Sequence, residues 1–242
     1  IDPHLIRAHN NFLAGYLAAR AKIKLNVPLV VSLHGVWDKD DLTSLIRKVR
    51  RHYLKKFEYF TLKNADEVIA VYKPIIPYAK RYGARNIHLI YNVVAGKNIK
   101  KKNSYRAIKS FRLITINRQV PEKNPENIIR AIQHIDCEYV IVGDGVLNER
   151  LKLLSRELGV QGKVRFIKSI PNHELCGMLG EFDVMVSHCD YWGISKTIIE
   201  GALTGLPILH NFHPFQKIPD FDVLSLNPKQ TATILKEALV RF

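Results

Sequence analysis
The sequence predicts an α/β protein of two domains, each a parallel sheet with helices on both faces. Two observations carry that reading. Apolar β-branched runs alternate with amphipathic stretches, strictly so over residues 111–242, which is the pattern of helix-covered parallel sheets. Charge also divides the chain: residues 1–109 hold 22 Lys and Arg against 7 Asp and Glu, while residues 110–242 hold 15 of each. The whole net charge of +15 therefore sits in the first part, a sign of two domains with different partners. No apolar run approaches the ~18 residues of a membrane span.

In the first part, residues 3–8 read as a short strand ending at His9. Asn10-Asn11 can cap the helix that follows, with Phe12, Leu13, Tyr16, Leu17 and Ala21 as its apolar face. Residues 28–33 are a β-branched strand stopping at His34-Gly35. Asp40-Asp41 opens a helix over 40–63, an acidic start that suits the helix dipole. Leu42, Leu45, Ile46, Val49, Tyr53, Phe57 and Phe60 recur there at helical spacing, and Arg47, Lys48, Arg50, Arg51, Lys55 and Lys56 lie mostly off that stripe. Such a face is either solvated or laid on anionic lipid. A buried strand at 66–72, a short helix from Pro74 to Tyr82 and a strand at 87–91 complete this part. Residues 95–110 are polar and basic and read as a linker.

In the second part, strands at 111–117, 138–142, 163–167, 182–186 and 208–212 alternate with helices at 126–135, 147–158, 172–179 and 196–203. Asn172 is placed to cap the third of these, and Thr204-Gly205-Leu206-Pro207 ends the fourth. Residues 221–226 read as a last strand, and Pro228 stands near the start of a terminal helix.

Cys137, Cys176 and Cys189 have no metal-type spacing, and the ten histidines form no His-x-x-x-His pair. No metal site is expected, and three reduced thiols suit a cytoplasmic protein. The basic first part calls for an anionic partner: lipid headgroups, an acidic substrate or a nucleic acid. Nucleic acid is the minor option, because no RNA-binding aromatic signature is present. A Walker loop and a nucleophile elbow are also missing.

Ligands of open parallel sheets bind at the carboxyl ends of the strands, so chemistry is sought in the loops that follow them. Arg118 and Lys123 follow the strand at 111–117. They are either a diphosphate-neutralising pair, planar fork and point charge, or two solvated cations. Gly143-Asp144-Gly145 lacks the third Gly of a dinucleotide fingerprint and reads as a tight turn. Glu200 lies one turn into its helix, where it either accepts from adjacent ribose hydroxyls or is a dipole-stabilised surface carboxylate. His34 and, more weakly, His9 stand at strand ends in the first part, as structural or reactive imidazoles.

These segments together resemble family-4 retaining glycosyltransferases of the GT-B fold, which have two Rossmann-like domains. Residues 116–123, Ile-Asn-Arg-Gln-Val-Pro-Glu-Lys, look like the family's donor-diphosphate loop. Val140-Ile-Val-Gly143-Asp-Gly is similar to its second strand and turn. Residues 163–171 look like the strand whose end receives the base, and residues 193–207 resemble the second half of its two-glutamate motif. Arg7-Ala-His9-Asn, Ser32-Leu-His34-Gly35, Ala65-Asp66-Glu67 and Ile90-Tyr-Asn92-Val look like strand ends of its acceptor domain.

The resemblance implies that residues 1–94 are the C-terminal portion of the acceptor domain, 95–110 a basic linker and 111–242 the nucleotide-sugar domain. It implies a nucleoside-diphosphate sugar as donor, with no cofactor required. Arg118 and Lys123 then hold the diphosphate, the N–H groups around Thr197 and Ile198 face it, Ile170 meets the base, and Glu200 holds the ribose. His34 would lie near the reacting centre. Trp192 stands eight positions before Glu200, where the family has its first glutamate, and Asp190 is expected to supply that carboxylate. The opening strands and Gly-rich loop of the acceptor domain are missing, and the stretch after Pro207 is short, so a fragment is expected. The acceptor is expected to be a glycan or a lipid-linked molecule, with residues 40–63 on an anionic membrane surface and the protein cytoplasmic or peripheral at the cytoplasmic membrane face. The alternative is a catalytically impaired relic of the fold that binds sugar nucleotides or a partner.

Overall fold
The computed structural model describes residues 2–36, 45–105, 110–123, 125–188, 195–210 and 223–225. The chain forms two compact units, Ile1–Asn92 and Val93–Phe242.

The first unit runs β1 (Ile6–His9), α1 (Leu13–Leu25), β2 (Leu29–Leu33), α2 (Leu45–Asn64), β3 (Glu67–Ala70), α3 (Ile75–Arg81) and β4 (Ile87–Leu89). The strands pair in parallel in that order. Leu29, Val31 and Leu33 of β2 and Val68 and Ala70 of β3 meet Ala19 of α1, Leu62 of α2 and Ile75, Tyr78 and Ala79 of α3 in one core. Asp66 fastens this layer by accepting from the Leu29 N–H at 2.7 Å and the Lys22 ammonium at 2.5 Å.

Two details differ from the sequence expectation. Asn10-Asn11 does not cap α1: Asn10 is left-handed (φ 88°) and its side chain accepts from the Asn11 N–H. The Asn11 amide is buried and donates to the Tyr78 hydroxyl at 2.8 Å. Nor do Leu13 and Leu17 face the core; both are exposed, and Gly15 and Ala19 are buried instead. A Cβ on Gly15 would stand 2.6 Å from the Asn10 carbonyl and 2.7 Å from Thr61 of α2. Small residues let α1 and α2 approach closely, and that turns the leucines outward.

Arg51 also departs from its expected place on the basic face of α2. It is buried, bonded to the fully buried Glu58 at 2.9 Å and to the Tyr82 hydroxyl at 3.4 Å. Seven residues are two helical turns, so the two side chains share the inner face. The expected helix start at Asp40-Asp41 lies outside the described residues.

The second unit runs β5 (Phe111–Ile116), α4 (Glu126–Ala131), β6 (Cys137–Val142), α5 (Asn148–Glu157), β7 (Val164–Ile167), α6 (Asn172–Met178), β8 (Val184–Ser187), α7 (Lys196–Thr204), β9 (Ile208–His210) and β10 (Val223–Ser225). Its six strands are all parallel, in the order β10-β9-β8-β5-β6-β7. Side chains alternate across the pleat. Leu113, Tyr139, Ile141, Val184, Val186 and Leu209 form one core with α4 and α5. Ile114, Val140, Val142, Met185 and Ile208 form a second core with α6 and α7 on the other face. The expected terminal helix lies outside the described residues.

Residues 96–105, read as linker, are fastened to this unit. The Lys102 N–H donates to the Thr204 carbonyl at 2.7 Å, and its ammonium to the Gly180 and Phe182 carbonyls at 3.1 and 2.6 Å. The Tyr105 hydroxyl donates to the Gly205 carbonyl at 2.5 Å, clasping the C-terminal end of α7.

Candidate functional site
The strand order of the second unit reverses at β5. From it the chain goes to β6 and β7 on one side, then returns to β8, β9 and β10 on the other. Such a switch point leaves a crevice at the carboxyl ends of the two central strands, which is where open α/β sheets bind ligands. The loop after β5, His188 at the end of β8 and the N-terminus of α7 border it.

The loop after β5 is set by Gln119, which is fully buried. Its N–H donates to the Asp144 carbonyl at 2.9 Å and its side-chain amide to the Gly143 carbonyl at 2.8 Å. Its side-chain oxygen accepts from Asn148 at 2.7 Å, and its carbonyl from the Leu147 N–H at 3.0 Å. Gly143 is essential to this contact: at φ 140°, a Cβ there would sit 1.8 Å from the Asn117 carbonyl. The Gly143-Asp144-Gly145 turn thus serves as a mould for the Arg118 loop. Arg118 emerges from it exposed, and its guanidinium has no partner among the described residues. Lys123, half-buried, ends a single 3-10 turn at Pro121–Lys123.

Helix α7 is capped by Ser195, whose hydroxyl accepts from the Ile198 N–H at 3.3 Å and contacts the Thr197 hydroxyl at 2.8 Å. Thr197 also donates to the Ile116 carbonyl at 3.3 Å, tying the helix start to the end of β5. Thr197 and Ile198 therefore differ in what they offer. The Ile198 N–H is taken by the cap and its side chain is buried. The Lys196 and Thr197 N–H groups have no acceptor within the helix, as first-turn groups do not. Glu200, one turn on, is only 6% exposed. One of its oxygens accepts from the Asn172 side chain at 3.0 Å, and the other is buried without a partner. Ile170, beyond the end of β7, rests its side chain on the α6–α7 core.

The crevice also holds residues that sequence reasoning missed. His188 follows β8, is 1% exposed, and touches the Asn127 side chain through Nδ1 at 3.2 Å. His210 ends β9, with Nδ1 at 3.0 Å from the Ser187 carbonyl. Burial holds the His210 imidazole below the usual histidine range; Lys123 and His188 push the same way, against the Ser187 carbonyl. His188 and His210 stand at strand ends, as His9 and His34 do, so the rule that singled out those two would have found them.

Seven buried side-chain polar atoms among the described residues have no hydrogen-bond partner. Four of them belong to the second unit: both amide atoms of Asn117, Nε2 of His188 and Oε2 of Glu200. All four are at this edge of the sheet. A buried unsatisfied polar group costs ~1–3 kcal/mol, so their concentration marks a place built to meet a polar ligand. A separate cavity of about 360 Å³, lined by Asp144, Asn148, Glu149, Lys152, Phe166 and Lys168, lies between the Gly143–Gly145 turn, the start of α5 and the end of β7.

In the first unit, His9 and His34 are exposed at the carboxyl ends of neighbouring strands, with ring centroids 5.8 Å apart. The outer face of α2 carries His52, Tyr53, Lys55, Lys56, Tyr59 and Lys63. The Lys56 ammonium lies 5.7 Å from the Tyr53 ring centroid and the Lys63 ammonium 5.5 Å from that of Tyr59. No described helix is long and apolar enough to cross a membrane. Among the described residues, no group of three or more His, Cys, Asp or Glu is arranged to hold a metal ion. Asp190 and Trp192 lie outside the described residues.

Residues 1–95 match the family model described as Glycosyltransferase Family 4, and residues 96–216, half of the chain, match Glycosyl transferases group 1. The chain is 30% identical over 148 residues to an uncharacterized glycosyltransferase of Methanocaldococcus jannaschii, covering 61% of this chain and 39% of that protein. It is 28% identical over 109 residues to a GDP-mannose-dependent α-(1-6)-phosphatidylinositol monomannoside mannosyltransferase of Mycolicibacterium smegmatis, covering 40% of this chain and 28% of that one. The chain thus spans well under half the length of these two curated relatives. Among solved structures, sucrose-phosphate synthase from Thermosynechococcus elongatus superposes with a TM-score of 0.77 at 20% identity, covering 98% of this chain and 64% of that one. Anabaena HepE in complex with UDP and glucose gives 0.74 at 19% identity, covering 98% of this chain and 68% of that one.

Proposed function
The chain belongs to the glycosyl transferases group 1 family, and we propose that its second unit binds a nucleoside-diphosphate sugar for a retaining transfer to an acceptor hydroxyl. The observation that carries the reading is the set of buried polar atoms of Asn117, His188 and Glu200 that lack a partner among the described residues, at the sheet's switch point, beside the exposed guanidinium of Arg118. Arg118 and Lys123 hold the diphosphate, and the Thr197 N–H at the start of α7 adds the field of the helix. Glu200 accepts from the ribose hydroxyls. The backbone at Ile170 meets the base.

In the reaction, the bond from the anomeric carbon to the diphosphate breaks and negative charge grows on the departing oxygen. Arg118 and Lys123 stabilise it in place, so the step calls for no metal cofactor. The acceptor hydroxyl attacks on the face the diphosphate leaves and passes its proton to the departing diphosphate oxygen, so the configuration is retained. By the family resemblance, His34 and Asp190 are the candidate residues for the reacting centre and the donor sugar. The test is calorimetric titration of UDP and GDP into the wild type, Arg118→Ala and Glu200→Ala. One of the two nucleotides binds the wild type, and each substitution weakens it about tenfold or more, the scale of a lost charge-assisted hydrogen bond. No binding to the wild type at millimolar concentration refutes the assignment.

Trp192, in place of the family's first glutamate, favours a second reading in which the donor binds but is not turned over. Nucleotide binding without release of diphosphate from any nucleotide sugar, in the presence of acceptor, would decide for it.

For the acceptor, the exposed lysines and tyrosines of α2 support a lipid-linked molecule or a glycan at an anionic membrane surface, with the protein peripheral on the cytoplasmic face. Reversing Lys55, Lys56 and Lys63 to Glu should abolish salt-sensitive binding to anionic vesicles. Unchanged binding removes the membrane from the account.

A further inference from the structure
Asn172 was expected to cap α6 with its side chain, and it does not. It is the first residue of the helix, the cap position is held by Pro171 without a side-chain bond, and the Asn172 amide is aimed elsewhere. It crosses 28 residues of sequence to donate to Oε1 of Glu200 at 3.0 Å. One turn further along α6, Cys176 is buried close to the same carboxylate; burial first, and then the charge of Glu200, push its thiol above the usual range. The carboxylate is thus held by an amide on one side and lies beside a neutral thiol. Its other oxygen, Oε2, is buried with no partner among the described residues.

We propose that Asn172 is the positioning residue that sets Glu200 to read the paired hydroxyls of the donor ribose. By occupying Oε1 it fixes the rotation of the carboxylate before the nucleotide arrives and reserves Oε2 for the sugar. The inference rests on the donor-site reading above. It assigns the preference for a ribonucleotide to a pair of residues on two helices rather than to Glu200 alone. Asn172 is exposed, so its side chain is replaceable without opening a hole in the core.

The substitution that separates positioning from structure is Asn172→Asp. Aspartate keeps the shape of asparagine, and the dipole's preference for it in the first turn of a helix offsets part of the repulsion it meets there. Beside Glu200 the same charge repels the carboxylate and removes the donor. Asn172→Leu removes the donor without adding charge.

The experiment titrates the 242-residue chain with UDP, GDP and their 2′,3′-dideoxy analogues. The wild type binds the ribo form of its nucleotide more tightly than the dideoxy form. In Asn172→Leu that preference falls by about tenfold, as for loss of one hydrogen bond to a charged group. In Asn172→Asp it falls at least as far. Affinity for the dideoxy form stays as in the wild type for both variants, and the thermal midpoint of Asn172→Leu stays within about 2 °C of the wild type's, as for an exposed substitution. A ribose preference equal to the wild type's in both variants overturns the proposal and leaves the donor site standing. Absence of either nucleotide from the wild type, or no ribose preference there, overturns the donor reading and this inference with it.

Discussion
Replacing Gly143 with alanine tests how the candidate site is built. The new Cβ would fall 1.8 Å from the Asn117 carbonyl, 2.8 Å from the Asn117 carbonyl carbon and 3.6 Å from the Arg118 nitrogen. All three are backbone atoms, so no rotamer relieves the clash and the turn and the loop must separate. Separation breaks three hydrogen bonds: Asn117 N–H to Val142, Gln119 N–H to Asp144, and the Gln119 amide to Gly143. At about 1 kcal/mol each, these sum to about 3 kcal/mol. Alanine at φ 140° adds ~1–3 kcal/mol of backbone strain. The total is about 4–6 kcal/mol, and at ~2–4 °C per kcal/mol for a unit of this size the melting midpoint of the second unit drops by about 10–20 °C. Thermal unfolding followed by circular dichroism measures it. Gly162→Ala is the control, since nothing lies within 4 Å of its added Cβ. Nucleotide affinity falls as well, because Arg118 moves with the loop. A Gly143→Ala protein that melts within about 2 °C of Gly162→Ala would refute the mould.

Other substitutions have smaller or opposite effects. Gly177→Ala, in α6 with nothing within 4 Å, should raise stability by ~0.5–1 kcal/mol through the unfolded chain; a loss in urea denaturation contradicts it. Arg51→Met strands the charge of Glu58 in the core and should cost ~3–5 kcal/mol, whereas Arg51→Met with Glu58→Leu recovers most of that; equal losses in denaturant midpoint would rule this out. Hydrogen bonding by Lys22, and then by the Leu29 N–H, holds the Asp66 carboxyl below its ordinary 3.8. Its folded value is the lower one, so its contribution is complete above 3.8 and disappears as pH falls through the folded value. The stability gap between wild type and Asp66→Asn should therefore close below about pH 4; a gap that widens in acid gives the wrong sign.

Much of the architecture was legible because period-2 and period-3.6 patterns are local. The strands at 111–117, 138–142 and 163–167 and the helix from Lys196 follow from their apolar spacing, and the structure places them within a residue or two. What escaped is what the fold brings together from far apart. Leu13 and Leu17 outrank Gly15 and Ala19 on any hydrophobic scale, yet the approach of Thr61 decides which face goes inside. Arg51 looks like its basic neighbours until Glu58 is seen to be buried beside it. At the site, Arg118, Lys123, Thr197 and Glu200 were readable as residue types that suit phosphate and ribose. Gln119, Asn172 and His188 were not, because each acts through a partner 24 to 61 positions away.

The central claim is that a nucleoside diphosphate seats at the switch point of the second unit. Titration of the ¹⁵N-labelled chain with UDP or GDP, followed in ¹H–¹⁵N correlation spectra, tests it most directly. Saturable shifts are expected on the amides of Asn117, Arg118, Gln119, Lys123, Ile170, Thr197 and Glu200, with Lys102, Arg112 and Glu181 at the opposite end of the sheet unmoved. Shifts centred on that opposite end, or none at millimolar nucleotide, would contradict it.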